Sequence, residues 1–277
     1  MNLLKRGRKA LERVPRIDAW FRRLVWSRMH FPEYELLLLD ALHGRPIDVA
    51  IDVGGALGSY AWVLGRKARR VVVFEPGEFH NRFLNHAVAF SRIEVERAAV
   101  GDKPGELSLY TPGDDVNARH SATLSTDNPA IDVNTARASK VPVVTIDEYA
   151  DRHLREGERV DLLKVDVEGF ELAVFQGAAR RIERDRPLVI CEIEGRHNKR
   201  YREVFETLAG LGYTAYFTRG GKLVAMDSFD LHPLQSAHDL AYRVSDDYRP
   251  GLGGYINNFV FEHASSRVKF TGGTNFR

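Results

Sequence analysis

Two stretches of the chain carry residues whose types and spacing point to chemistry. The first is Asp52-x-Gly54-Gly55-x-x-Gly58-Ser59, preceded by the apolar, β-branched residues 49–51. A strand, a glycine turn and a helix start form a cradle for an anionic or carboxylate-bearing ligand, because the helix N-terminus presents free N–H groups. Glu75 follows 20 residues after Gly55, at the end of a second apolar run (residues 70–74). That spacing suits a carboxylate accepting the two hydroxyls of a ribose. The dinucleotide pattern G-x-G-x-x-G is absent, and so is a G-x-x-x-x-G-K-[ST] phosphate loop. An acid at position 52 would repel a pyrophosphate and attract an ammonium. The plainer alternative is a tight strand–helix turn that binds nothing.

The second stretch is Lys164-Val165-Asp166-Val167-Glu168-Gly169-Phe170-Glu171, at the end of the apolar run 160–163. Glu192, Glu194 and His197 close another such run. In open α/β sheets, ligands sit beyond the carboxyl ends of the strands. Lys164, Asp166, Glu168 and Glu171 are therefore expected near the same edge as Gly54 and Glu75. A salt bridge from Lys164 to one of the neighbouring acids is the structural alternative, since buried charge needs pairing.

The elements that must position these groups can be read along the chain. Strands are expected at residues 49–53, 70–74, 93–100, 107–110, 141–144, 160–165, 187–193, 213–217 and 257–261. Helices are expected to begin near Ser59, over 78–90, over 146–155 with Thr145 as N-cap and Glu148 completing a capping box, over 170–182, and over 201–211 before Gly212. This alternation argues for a doubly wound α/β fold. Residues 111–140 lose periodicity, and a lid or acceptor loop over the site is the expected role; His120 within it reads as a solvated loop residue. Residues 219–256 are expected to be irregular.

Composition sets the frame. The 277 residues are 44% hydrophobic and 28% charged with net charge +2, ordinary for a globular chain and without a nucleic-acid signal. Charge is unevenly placed: residues 1–30 hold nine Lys/Arg and two Asp/Glu, so they are strongly basic and the rest is mildly acidic. Residues 2–29 read as a basic amphipathic helix interrupted near Pro15, packed on the domain or laid on an anionic membrane surface through Trp20 and Phe21. One cysteine, Cys191, excludes an internal disulfide and suggests a reducing, cytoplasmic setting. No apolar run is long enough to span a bilayer. The organisation expected is a helical extension (1–32), one catalytic domain (33–265) and a short tail (266–277).

Taken together the motifs resemble the FkbM-type family of S-adenosylmethionine-dependent methyltransferases. The resemblance rests on Ile51-Asp52-Val53-Gly54-Gly55-Ala56-Leu57-Gly58-Ser59-Tyr60, Val73-Phe74-Glu75-Pro76, Ala98-Ala99-Val100-Gly101-Asp102, Val141-Pro142-Val143-Val144-Thr145-Ile146-Asp147 and Leu162-Leu163-Lys164-Val165-Asp166-Val167-Glu168-Gly169, in that order. It implies a Rossmann-like seven-stranded sheet of the class I methyltransferase type. By the same resemblance, Gly54, Gly55 and Gly58, with Ser59, approach the methionine part of S-adenosylmethionine, and Asp52 lies near its ammonium. Glu75, followed by Pro76, accepts the ribose hydroxyls; Ala99 and Asp102 lie by the adenine; Asp166 sits beside the transferring methyl. The family usually has Asn at the position of Ala56 and a small residue at that of Phe170, which here could narrow the acceptor pocket.

The reaction expected is O-methylation of a sugar, glycolipid or natural-product hydroxyl. Asp166, Glu168, Glu192 and His197 are the candidates to take the hydroxyl proton, and no tight ligand spacing supports a metal. The alternatives are an NAD-dependent oxidoreductase, which the first strand–turn–helix unit fits but its glycine spacing does not, and a non-catalytic module binding the cofactor or a lipid.

Overall fold

The structure is a computed structural model and describes residues 39, 42–78, 80–81, 84, 92–111, 122–126, 128, 131–132, 134–219, 222–238 and 254–270. The basic segment 1–30 and most of the helix expected over 78–90 lie outside these residues; residues 78, 80, 81 and 84 are helical.

The strands are β1 (His43–Gly44), β2 (Ile47–Val53), β3 (Ala68–Phe74), β4 (Ile93–Glu96), β5 (Ala99–Val100), β6 (Gly105–Thr111), β7 (Arg137–Val144), β8 (Val160–Val165), β9 (Leu188–Glu192), β10 (Tyr213–Arg219), β11 (Lys222–Ala225), β12 (Asn258–His263) and β13 (Val268–Lys269). The helices are α1 (Ser59–Leu64), α2 (Ile146–His153), α3 (Glu171–Gln176), α4 (Ala179–Asp185) and α5 (Tyr201–Gly210).

The main sheet has eight strands in the order β11-β10-β12-β9-β8-β2-β3-β4. β4, β3, β2, β8 and β9 run parallel. Of these, β2, β3, β8 and β9 are largely buried on both faces and read as nearly continuous apolar runs, whereas the edge strand β4 is half-exposed. Val49, Ile51, Val53, Leu163 and Val165 pack on one face with Phe175, Phe205 and Phe259. Ala50, Val71, Val73 and Leu162 pack on the other with Tyr60, Ala61 and Leu64. The expected doubly wound sheet is present. The additional strand is β11, a hairpin partner of β10 inside a stretch expected to be irregular.

Three expected elements differ for identifiable reasons. The run 93–100 divides at Arg97: β4 pairs with β3 in the main sheet, whereas β5 pairs with β7 in a separate sheet ordered β5-β7-β6. The helix expected over 170–182 is broken into α3 and α4 at Gly177. A Cβ there would stand 1.9 Å from the Gly101 carbonyl oxygen, and the Gly177 carbonyl accepts the Asp147 N–H at 2.9 Å. The Asp147 carboxylate then caps α4, accepting from the N–H groups of Arg180 at 3.0 Å and Arg181 at 2.9 Å. Residues 266–270, read from the sequence as the start of a tail, run back along β1 instead; β13 pairs with it, and the Phe270 N–H donates to Glu262. Thr145 caps α2 as expected, accepting the Glu148 N–H at 3.1 Å.

Candidate active site

The carboxyl ends of β2, β3, β8 and β9 meet the small three-stranded sheet around a cavity of about 300 Å³. That volume is at the lower end of the ~300–1,000 Å³ usual for small-molecule sites. Its wall includes Gly54, Glu75, Pro76 and Ala99 from the expected cofactor set, and Asp166, Glu168 and Glu192 from the expected catalytic set. Apolar cover comes from Val53, Phe74, Val100, Leu109, Ala122, Leu124 and Val167. Ala122 and Leu124 belong to the aperiodic 111–140 segment, so part of that segment closes over the cavity.

The glycine turn is shaped by its neighbours in the fold. Gly54 has φ 82°, and a Cβ there would lie 1.8 Å from the Asp166 carbonyl oxygen. Gly55 has no room for one because Val73 Cγ1 would be 2.1 Å away. Both absent side chains would point into the protein, so the glycines let the turn sit on β3 and on the end of β8, and Gly54 and Ala56 of the turn line the cavity. Gly58, in the left-handed conformation, caps α1, and Ser59 begins that helix; neither is on the wall.

Glu75 holds the turn from the other side. Its carboxylate accepts the Ala56 N–H at 2.9 Å and the Gly77 N–H at 2.7 Å, and His80 Nδ1 lies 3.4 Å away. A carboxylate has about four lone-pair sites, so one, on the oxygen that accepts from Ala56, remains for another donor. Asn81 Nδ2 donates to the Glu75 carbonyl at 2.6 Å. His80 and Asn81 were not singled out in the sequence; the only signal was their place one turn beyond Pro76.

Asp52 does not reach the cavity wall. Its side chain points beneath the turn, where one oxygen takes a hydrogen bond from the Ala61 backbone and the other is buried with no partner. Burial pushes its carboxyl up to about 7, opposed by the Lys164 ammonium and reinforced by Asp166 and Glu75. Asp102 also departs from the expected set: it is exposed in the bend between β5 and β6. Phe170 is not on the wall; its ring lies over Gly101.

At the other end, Lys164 is 1% exposed, directly across the β2–β8 register from Asp52. Its Nζ lies 3.5 Å from the Asp166 carboxylate and 4.8 Å from the centroid of the Tyr60 ring. Lys164 therefore acts on the cavity through Asp166 rather than by touching its contents. The Glu168 carboxylate lies within hydrogen-bonding reach of Nδ1 of the buried His197. Burial raises the Glu168 carboxyl and pairing with His197 opposes the rise. Glu192 accepts from Asn257 Nδ2; burial and then the nearby Asp166 drive its carboxyl well above the usual range. Glu194 accepts from Arg196, from Tyr255 Oη at 2.8 Å and from Asn257 Nδ2 at 3.0 Å. Burial works against its ionisation, but Arg196, Tyr255 and His197 outweigh it and hold the carboxyl at about 2. Cys191 is buried in the core, its thiol pushed up by burial. Among the described residues no group of three or more His, Cys, Asp or Glu is placed to hold a metal ion. No helix of the described residues is long and apolar enough to cross a membrane.

The cavity fits a nucleoside bearing an amino-acid tail: a glycine turn at one wall, a carboxylate with a spare acceptor site at the end of β3, and an apolar slot beside Ala99. The family model described as the methyltransferase FkbM domain matches residues 52–215, more than half of the chain. Solved structures similar to this chain include methyltransferase FkbM from Methylobacillus flagellatus KT (15% identity, 78% of this chain and 43% of that one, TM-score 0.45). They also include an O-methyltransferase from Bacillus cereus in complex with SAH (13% identity, 92% and 95%, TM-score 0.42). A third is Aeropyrum pernix fibrillarin with natively bound S-adenosyl-L-methionine (14% identity, 86% and 71%, TM-score 0.41). This chain spans less than half the length of the first of these structures. A search of the curated proteins gives no match. The domain match, over the same blocks that build the cavity, places this chain in the FkbM family of S-adenosyl-L-methionine-dependent methyltransferases.

Proposed function

We propose that the chain transfers a methyl group from S-adenosyl-L-methionine to a hydroxyl oxygen of a small acceptor, of the sugar, glycolipid or natural-product kind. The observation that carries this reading is the convergence of Gly54, Glu75, Asp166, Glu168 and Glu192 on one cavity within the family's matched region. When bound, S-adenosyl-L-methionine supplies an electrophilic methyl group carried on a sulfonium.

Gly54 and Glu75 would hold the cofactor, Glu75 through its spare acceptor site, with Pro76 and Ala99 flanking the nucleoside. Asp166, fixed by Lys164, and Glu192 would orient the acceptor hydroxyl, so that its oxygen is held in line; positioning of this kind supplies much of the rate in a displacement. The hydroxyl proton would pass to the Glu168–His197 pair as the methyl group moves to the acceptor oxygen from the sulfonium sulfur, whose bond to it breaks to leave a neutral thioether. A wall that offers carboxylates and, among the described residues, no Lys or Arg suits hydroxyl donors and repels phosphate- or carboxylate-bearing acceptors. The basic segment 1–30 would add attraction to an anionic membrane surface, bringing a lipid-linked acceptor within reach.

The test is transfer of labelled methyl from S-adenosyl-L-methionine to a panel of neutral polyhydroxyl acceptors. Label on an acceptor oxygen, lost in Glu168→Gln while S-adenosylhomocysteine still binds, supports the assignment. Label on nitrogen or carbon acceptors alone contradicts O-methylation.

A further inference from the structure

Glu168 stands in the left-handed backbone region at φ 51°, followed by Gly169 at φ 99°. For a residue with a Cβ this conformation is disfavoured, because the Cβ crowds the following carbonyl oxygen. It persists only where the surroundings over-determine it, and such sites cluster where function needs a fixed geometry.

Here the surroundings are specific. Thr123 Oγ1 donates to the Glu168 carbonyl at 2.7 Å, and Asn128 Nδ2 donates to the same oxygen at 2.9 Å. Both donors are buried, Thr123 to 1% and Asn128 to 3% exposure. Thr123 is itself immobilised. It exchanges two backbone hydrogen bonds with Tyr110 of β6, at 2.9 and 3.0 Å, and its hydroxyl accepts the Ser125 N–H at 3.0 Å. On the opposite side, a Cβ at Gly169 would stand 2.6 Å from the His197 carbonyl oxygen, so the turn lies directly on the His197 backbone. The Gly169 N–H donates to Glu171 at 2.7 Å, and Glu171 accepts Asn198 Nδ2 at 2.7 Å. The left-handed turn sends the Glu168 carboxylate to two places at once: the cavity wall and Nδ1 of His197.

We propose that Thr123 and Asn128 are positioning residues, which lock the Glu168 backbone in its left-handed conformation and so aim the Glu168–His197 pair at the acceptor end of the cavity. The proposal rests on reading that pair as the proton acceptor. It gives the 111–140 segment a second task besides covering the cavity. With both side-chain donors removed, the Glu168 carbonyl loses its buried partners, the backbone relaxes to negative φ and the carboxylate swings away from His197.

The experiment uses the full chain labelled with ¹⁵N-histidine and follows the Nδ1–H resonance of His197, assigned by its disappearance in His197→Asn. The hydrogen bond to Glu168 should place it far downfield and protect it from exchange. Thr123→Val keeps the side-chain shape and removes the hydroxyl; Thr123→Ser keeps the hydroxyl. The downfield resonance should survive in Thr123→Ser, weaken or shift upfield in Thr123→Val and in Asn128→Ala, and vanish in the double variant. S-adenosylhomocysteine affinity should stay within about twofold throughout, since a deletion of a buried uncharged hydrogen bond that unsettled the whole site would cost far more. An unchanged resonance in the double variant overturns the proposal, as does loss in Thr123→Ser equal to that in Thr123→Val. Failure of the wild-type chain to bind S-adenosylhomocysteine would instead overturn the methyltransferase reading, and is measured separately.

Discussion

The Ala56 N–H donates to the Glu75 carboxylate at 2.9 Å, tying the glycine turn after β2 to the end of β3. One side chain therefore shapes the turn and, in the proposed function, would also accept from the ribose. Glu75→Ala should weaken S-adenosylhomocysteine binding by more than the single lost contact, about 2–3 kcal/mol or 30- to 150-fold, because hydrogen bonds to charged groups are worth ~1.5–3 kcal/mol each. Calorimetric titration checks this; an affinity within threefold of wild type would remove Glu75 from the cofactor site.

Ala56 is the second strained position. At φ 43° it pays the left-handed penalty without the compensation glycine or asparagine would bring. Ala56→Asn should stabilise the fold by roughly 0.5–1 kcal/mol. Scanning calorimetry should show a melting temperature raised by a few degrees at the same pH, while a lowered one would mean that the wall has no space for the amide.

Gly177 faces the opposite problem, a lack of space. Gly177→Ala pushes a methyl into the Gly101 carbonyl and must part α3 from the β5 turn. A cost of about 1–3 kcal/mol is expected, from the range for overpacked sites. Urea denaturation should report it as a lower midpoint with unchanged slope.

Glu171 gives stability a pH dependence. Burial first, against hydrogen bonds from Gly169 and Asn198, pushes its carboxyl from 4.5 to about 7. The folded chain thus keeps a proton that the unfolded chain releases near pH 4.5. Stability from this group is full below that pH, falls as pH rises to about 7, and is level above, with a ceiling of ~3 kcal/mol. Asp52, also pushed up to about 7 by burial, adds a fall of the same sign. Melting temperatures should drop between pH 5 and pH 8, and drop less in Glu171→Gln; equal drops would show that Glu171 is ionised without cost.

Much of this was legible in the sequence because the central strands are buried on both faces and announce themselves as apolar runs ending in acids. Glu75, Asp166 and Glu168 could be placed on one edge from that fact alone; Glu171, expected beside them, turns back to Gly169 and Asn198 and is not on the cavity wall. Asp52 obeys the same rule, yet strand alternation turns its side chain beneath the sheet end, towards Tyr60 and Ala61, and only the register shows this. Gly54 and Gly55 were legible as a turn, but not that the space they save belongs to Asp166 and Val73. Thr123 and Asn128 could not be found at all: their partner is a carbonyl 40 or more positions away, and an aperiodic segment carries no pattern that points to it. The break at Gly177 is equally nonlocal, being set by Gly101.

The most direct measurement is a calorimetric titration of the purified chain with S-adenosyl-L-methionine, S-adenosylhomocysteine and NAD in parallel, repeated on Glu75→Ala. Binding of the first two, none of NAD, and a loss of at least tenfold in the variant is the result expected of a methyltransferase cavity organised by the Glu75–Ala56 contact. Binding of NAD in preference to either would contradict it and restore the oxidoreductase alternative.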